Sequence, residues 1–227
     1  MKVVISCAGS KADGAGYMKA EDEKCVKFLG NPAEVNSQRS EFCYAHPDCV
    51  ADDGRTWREK LVAYNKSCKD ENPFRLLQAY KLYKPNIYTQ LVEIFGIDNV
   101  YILSAGWGLI RAVFLTPKYD ITFSGSGYKR RRKCDQYCDF NHLESAIDED
   151  LLFFGGQKYL DLFTKLTQNY NGRRIVYHST DNMTKSNRIK YVRYPRYFTN
   201  WHYTCAEKVM ECYEADPCGF DPLLISW

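Results

Sequence analysis

An α/β fold with a central, mostly parallel sheet is what the 227-residue sequence predicts, and three observations predict it. Four short apolar runs, at residues 2–6, 100–103, 151–154 and 174–177, are rich in β-branched and aromatic residues. Each ends in turn chemistry, as buried strands do. Helical patterns lie between them, and that alternation argues for three layers, α/β/α, around a four-stranded sheet.

Taken in order, residues 2–6 form the first strand and lead into Cys7-Ala8-Gly9-Ser10-Lys11. Residues 12–72 break the rhythm. They are polar, hold Asn31-Pro32 and His46-Pro47 turn signals, and read as an elaborated loop closing in a helix from about 56 to 65. Helical spacing follows at 73–83, with Leu76, Leu77, Tyr80 and Leu82 apolar, and again at 88–95. The second strand ends in Ser104-Ala105-Gly106-Trp107-Gly108, where two glycines let the backbone turn sharply. The third precedes Gly155-Gly156 and a helix over 158–169 carrying Leu160, Phe163 and Leu166. The fourth precedes His178-Ser179-Thr180, and a last helix spans 204–213. The whole reads as one domain, 1–227, with the insertion 12–72 inside it.

Charge is nearly balanced at +3 but unevenly laid out. Lys129, Arg130, Arg131, Arg132 and Lys133 are consecutive, and a second basic stretch includes Arg188, Arg193 and Arg196 interleaved with tyrosines. That layout fits a phosphate-binding face, although an ordinary solvated surface has the same composition. No run approaches the roughly 18 apolar residues of a membrane span. The first strand is too short for a signal peptide, so the ten cysteines are expected reduced, in a cytoplasm. Cys43-x-x-His46-x-x-Cys49 has metal-ligand residue types but not the spacing of a standard finger or ribbon, and no metal is assigned.

The block "IYTQL…VYILSAGWGLI…FLTPKYDITFSG" (residues 87–125) resembles the YaaA-type peroxide-stress proteins and their relatives in phages and mobile elements. That family has a YTGL-like helix, a strand ending in LSGxYGLLRP, and a PYR- or PYD-type loop. Trp107 stands where the family carries an aromatic, and Asp120 where many members carry Arg. The order of strand-end loops also resembles the uracil-DNA glycosylase superfamily. His178-Ser179 is similar to the start of its HPSPL element, while "SCAGSKADG" lacks its GQDPYH pattern.

The resemblance implies a DNA glycosylase that flips out a modified base, excises it and leaves an abasic site. A hypermodified phage base, and hence antiviral defence, is an extension of the same likeness. Such chemistry needs an aromatic-lined pocket and stabilisation of charge developing at C1′. Asp120 is the carboxylate best placed by context, with Asp13 and Asp48 behind it. His178 suits the leaving base, and Ser10 and Lys11 the loop after the first strand. Lys11 is alternatively a surface lysine, or a Schiff-base former if burial depresses its pKa. Ser104, Gly106, Trp107, Gly108, Tyr119 and Phe123 are expected to form the base pocket, with core packing the alternative for Trp107. Duplex DNA is expected to meet Ser179 and the basic residues 129–133, 188 and 193. No cofactor, membrane or obligatory protein partner is expected. Two other functions stay open: a non-catalytic DNA-binding protein of oxidative stress, which the YaaA resemblance also implies, and a transferase acting on free bases or nucleotides.

Overall fold

All four apolar runs form strands where the sequence marks them. The computed structural model describes residues 1–35, 41–67, 70–123, 127, 130–132, 137–144, 147–180, 188–195 and 198–227. In chain order the elements are β1 (Lys2–Ser6), β2 (Cys25–Leu29), β3 (Phe42–Ala45), α1 (Trp57–Ser67), β4 (Leu77–Gln78), α2 (Ile87–Phe95), β5 (Val100–Ser104) and β6 (Gly108–Arg111). They continue with β7 (Leu115–Thr116), β8 (Tyr119–Asp120), β9 (Phe140–Asn141), β10 (Leu151–Phe154), α3 (Leu160–Leu166), β11 (Arg174–His178), β12 (Ile189–Arg193) and α4 (Trp201–Ala215).

The main sheet has the order β12-β11-β10-β1-β5-β6-β9. From β12 to β5 every pairing is parallel. Strand β6 turns back antiparallel on β5, and β9 lies parallel to β6. The sheet is therefore mostly parallel but has seven strands where four were expected. Strands β1, β5, β10 and β11 are buried along their whole length, which is why they read as unbroken apolar runs. Strand β12 alternates with exposed polar residues, and β9 is two residues long, so neither produces such a run.

Alternate residues of the strands feed two apolar clusters. Val3 and Ile5 join one that includes Leu91 of α2 and Val209 of α4, and Phe95 meets Tyr213 at 4.9 Å between ring centres. Val4, Tyr101 and Phe153 join the other, which includes Leu160 and Phe163 of α3.

Two expectations need correction. The insertion is not a loop: β2 and β3 pair in parallel, and β2 pairs in parallel with β8, making a second, three-stranded sheet. Its strands find partners far along the chain, which local composition does not reveal. Residues 73–83 are not a helix either. Asn72 Oδ1 accepts the Leu76 N–H at 2.9 Å and Tyr64 Oη accepts the Phe74 N–H at 3.0 Å. Leu77–Gln78 then pairs antiparallel with β7, and a single 3-10 turn follows at Ala79–Lys81. Side chains and a neighbouring strand have taken the backbone groups a helix would use. The expected helix at 56–65 is α1, and those at 88–95 and 158–169 correspond to α2 and α3. The last helix starts a turn earlier than the spacing suggests, at Trp201. Among the described residues no helix is long and apolar enough to cross a membrane.

Candidate active site

The chain steps from β1 to β5 on one side and later to β10 on the other, so strand order reverses at β1. In open parallel sheets a crevice opens beyond the carboxyl ends of the strands at such a switch point. Here it is a cleft of about 1220 Å³. The loops after β1 (Cys7 to Lys11), after β10 (Gly156 to Tyr159) and after β11 (Ser179, Thr180) line it. Asp120, Thr122 and Arg130 form another part of its lining, and Phe198 and the first turn of α4 a third. Asp120 is brought there by the insertion, because β2 pairs Phe28 with Tyr119 and Leu29 with Asp120.

Beneath the cleft lies a network of hydroxyls. Ser104 Oγ donates to Tyr119 Oη at 2.9 Å, and Tyr119 and Tyr83 share a hydrogen bond of 2.9 Å. Cys7 Sγ lies 3.2 Å from Tyr159 Oη and accepts the Ala105 N–H at 3.3 Å. Burial, and then the nearby Cys7, hold the Tyr119 and Tyr159 phenols well above their usual range; burial does the same for Tyr83. These hydroxyls stay protonated at neutral pH and serve as hydrogen-bond donors.

Lys11 rests on this floor, its Nζ 4.2 Å from the centre of the Tyr119 ring. Its contacts to the Ala8 and Gly9 carbonyls are long, 3.5 and 3.4 Å. Burial lowers its pKa, with Lys118 and Arg130 adding to that, against the opposing pull of Cys7 and Asp120. Asp120 is engaged: Arg130 Nε lies 2.8 Å from its Oδ2. Ser10 is exposed on the cleft lip.

His178 is nine-tenths buried and faces a small side cavity of about 30 Å³ rather than the cleft. Its Nδ1 lies 2.9 Å from the Thr180 carbonyl, an acceptor only, so the proton sits on Nδ1. The hydroxyls of Ser179 and Thr180 are buried and have no hydrogen-bond partner among the described residues.

The expected base pocket divides. Tyr119 and Ser104 form the floor, but the glycine–tryptophan turn belongs to the core. Trp107 has no exposed surface and packs on Phe28 and Phe140, with ring centres 5.0 and 6.2 Å away. Arg58 pins this turn, donating to the Gly106 carbonyl at 2.8 Å and the Trp107 carbonyl at 3.1 Å while ion-paired with Asp48. Gly108 has φ +90°, and a Cβ there would meet the Phe140 carbonyl at 2.5 Å. At Gly106 a Cβ would meet Tyr119 at 3.1 Å. The close approaches these glycines permit are to β9 and to Tyr119, not to a ligand. Phe123 is half-buried, its ring centre 4.7 Å from that of Tyr159.

The basic face also thins. Arg132 is buried against Asp139 in a two-point ion pair of 2.8 and 2.6 Å and donates to the Ala105 carbonyl. Buried charge pairing of this kind withdraws it from any phosphate. Arg131, Arg188 and Arg193 are exposed. Lys129, Lys133 and Arg196 lie outside the described residues. Of the reserve carboxylates, Asp48 is held by Arg58, and Asp13 pairs with Lys84 at 3.0 Å on the surface. His46 Nδ1 accepts the Asp48 N–H at 3.2 Å, and the eight described cysteines are free thiols. Among the described residues no three His, Cys, Asp or Glu side chains are grouped to hold a metal ion.

Sequence reasoning missed Cys7 and Tyr83 as parts of the floor, and it assigned no site role to the aromatics at 201–203. Trp201, His202 and Tyr203 line the cleft from the first turn of α4, with Phe198 exposed beside them. Burial pushes the His202 imidazole down to about 4, so it is neutral at physiological pH. The run Asn200-Trp201-His202-Tyr203 was the available signal: four polar or aromatic side chains entering a helix. Comparison of the chain with protein-family models, with curated proteins and with solved structures finds no match.

Proposed function

We propose that the cleft cleaves the N-glycosidic bond of a nucleotide flipped out of DNA, releasing a modified base. One observation carries the reading: an amine, a carboxylate–guanidinium pair, buried hydroxyls and stacking aromatics meet in one large cleft at the sheet's switch point. Asp120 would stabilise positive charge at C1′ and orient water, a contribution that matters only in the transition state. Tyr159, Trp201 and Phe198 would stack on the extruded base, the role expected of Trp107. The Ser179 and Thr180 hydroxyls, unpartnered among the described residues, suit the base or its phosphate better than His178, whose Nδ1 proton is already engaged. Arg130, Arg131, Arg188 and Arg193 would contact backbone phosphates.

This reading carries with it the three-layer α/β/α description, supported by two apolar clusters fed by alternate residues of β1. A cytoplasmic setting, a hypermodified phage base as substrate and a part in antiviral defence belong to the same proposal. The test is incubation with duplexes bearing a broad panel of modified bases, followed by hot alkali. Alkali-labile sites at the modified position support the reading, and an intact panel counts against it.

A second reading, a transferase or hydrolase acting on free nucleotides, is favoured by one observation. Arg132 is withdrawn into its ion pair with Asp139, which leaves less positive surface for a duplex. Release of base from free nucleotides but not from DNA would select it.

A further inference from the structure

We propose that Lys11 is an imine-forming amine, which condenses with the aldehyde of the ring-opened deoxyribose left by base loss and so adds a lyase step. The inference rests on the glycosylase reading, since that aldehyde is the product of base release.

The position of Lys11 is fixed from both sides. Its backbone bridges to Tyr83, the Ala12 N–H reaches the Leu82 carbonyl at 2.8 Å, and the Lys84 N–H reaches the Ser10 carbonyl at 3.3 Å. The amine therefore projects over the Tyr119 ring into the cleft from a paired segment rather than from a free loop. Among the described residues no carboxylate lies within 4 Å of it: Asp120 is taken by Arg130 and Asp13 by Lys84. Lys24 and Lys208 sit on the surface against Asp22 and Glu211, and those partners hold them above the ordinary lysine value. Lys11 is the opposite case, half-buried without a counter-ion, and burial favours the neutral amine that nucleophilic attack requires.

The chemistry balances without an oxidant or a further reactant. Neutral Nζ adds to C1′ of the aldehyde; the carbinolamine loses one water as the C=N bond forms. The imine acidifies C2′, whose proton passes to Asp120 on the same cleft. The freed electron pair forms the C1′–C2′ enamine, and its collapse expels the 3′ phosphate oxygen with cleavage of the C3′–O bond. Water then hydrolyses the imine, freeing Lys11 and an unsaturated aldehyde on the 5′ fragment.

The experiment incubates the full chain with a duplex carrying a preformed abasic site, in the presence of borohydride, which reduces an imine to a stable amine. The expected result is a covalent protein–DNA adduct on a denaturing gel, mapped by peptide mass spectrometry to Lys11 in the wild-type protein. Adduct should fall to background in Lys11→Met. Mapping on the wild-type adduct does not depend on how the variant folds. No adduct under conditions where the abasic duplex is bound, or an adduct mapped to another amine, overturns the proposal. Base release scored in parallel separates the two readings. Release without adduct overturns the Lys11 step alone. Adduct without release from any modified duplex supports Lys11 and overturns the glycosylase reading.

Discussion

The turn after β5 and the loop after β1 begin alike, each a polar segment with glycine leaving a buried parallel strand, and they end differently. In the turn, the two arginines that grip the backbone are both matched. Arg58 is held by Asp48 and two carbonyls, Arg132 by Asp139, and the tryptophan between the glycines is wholly buried. In the loop, Lys11 is half-buried with no carboxylate within 4 Å among the described residues, and open volume lies in front of it. Full pairing marks a region that holds the fold together. A charge left unmatched beside a cleft marks one whose complement is expected to arrive from outside.

Breaking the turn should produce the largest effects. Arg132→Ala leaves the buried Asp139 carboxylate unpaired, and Arg58→Ala removes the partner of the part-buried Asp48 and the donor to two buried carbonyls; each should cost about 3–5 kcal/mol of stability. Denaturant unfolding measures it; a loss under about 1 kcal/mol would mean these pairs are not structural. Trp107→Ala should likewise cost about 3–5 kcal/mol by opening a cavity. The fraction that remains folded should bind substrate as the wild type does, because Trp107 does not reach the cleft. Weakened binding at full occupancy of the fold would return Trp107 to the pocket.

On the cleft side, Asp120→Asn should lower the rate of base release by about 10²–10³-fold and leave DNA affinity intact. The change preserves size and removes charge, although it also frees Arg130. A fully active Asp120→Asn would reduce Asp120 to an anchor for Arg130.

A smaller effect concerns Lys11 and pH. Its folded-state pKa is lowered, so between the folded and unfolded values the unfolded chain binds more protons. The destabilisation it causes is complete below the folded value and disappears as pH rises through the ordinary lysine range. Wild-type stability should therefore rise relative to Lys11→Met as pH is raised towards that range. Parallel curves would show that the amine has no perturbed pKa. Smallest of all, Arg131→Ala and Arg188→Ala should each reduce the salt slope of DNA binding by about one.

Much of this was legible in the sequence, and the failures have physical causes. The strands β1, β5, β10 and β11 announce themselves because both their faces are buried. Lys11 and Asp120 were found because they stand at or just beyond strand ends on the cleft side. Trp107 misled because an aromatic between two glycines looks the same whether its ring meets a ligand or Phe28 and Phe140. Arg132 misled because a run of basic residues does not reveal that Asp139 takes one of them inward. Tyr83 was hidden inside an apparent helical pattern, and β2 because its partners, β3 and β8, are decided by the whole fold.

The pairing of β2 with β8 makes the cleft depend on the insertion. Leu29 and Asp120 are neighbours in that small sheet but distant in the chain, and contacts between distant segments form slowly because a long loop must close first. The antiparallel turn from β5 to β6 is local and can form early. The main sheet closes loops at least as long, since β1 pairs with both β5 and β10. Asp120 is held in place by the pairing of β8 with β2 of the insertion. A proteolytic cut within the insertion should therefore loosen that pairing and leave the carboxylate adrift.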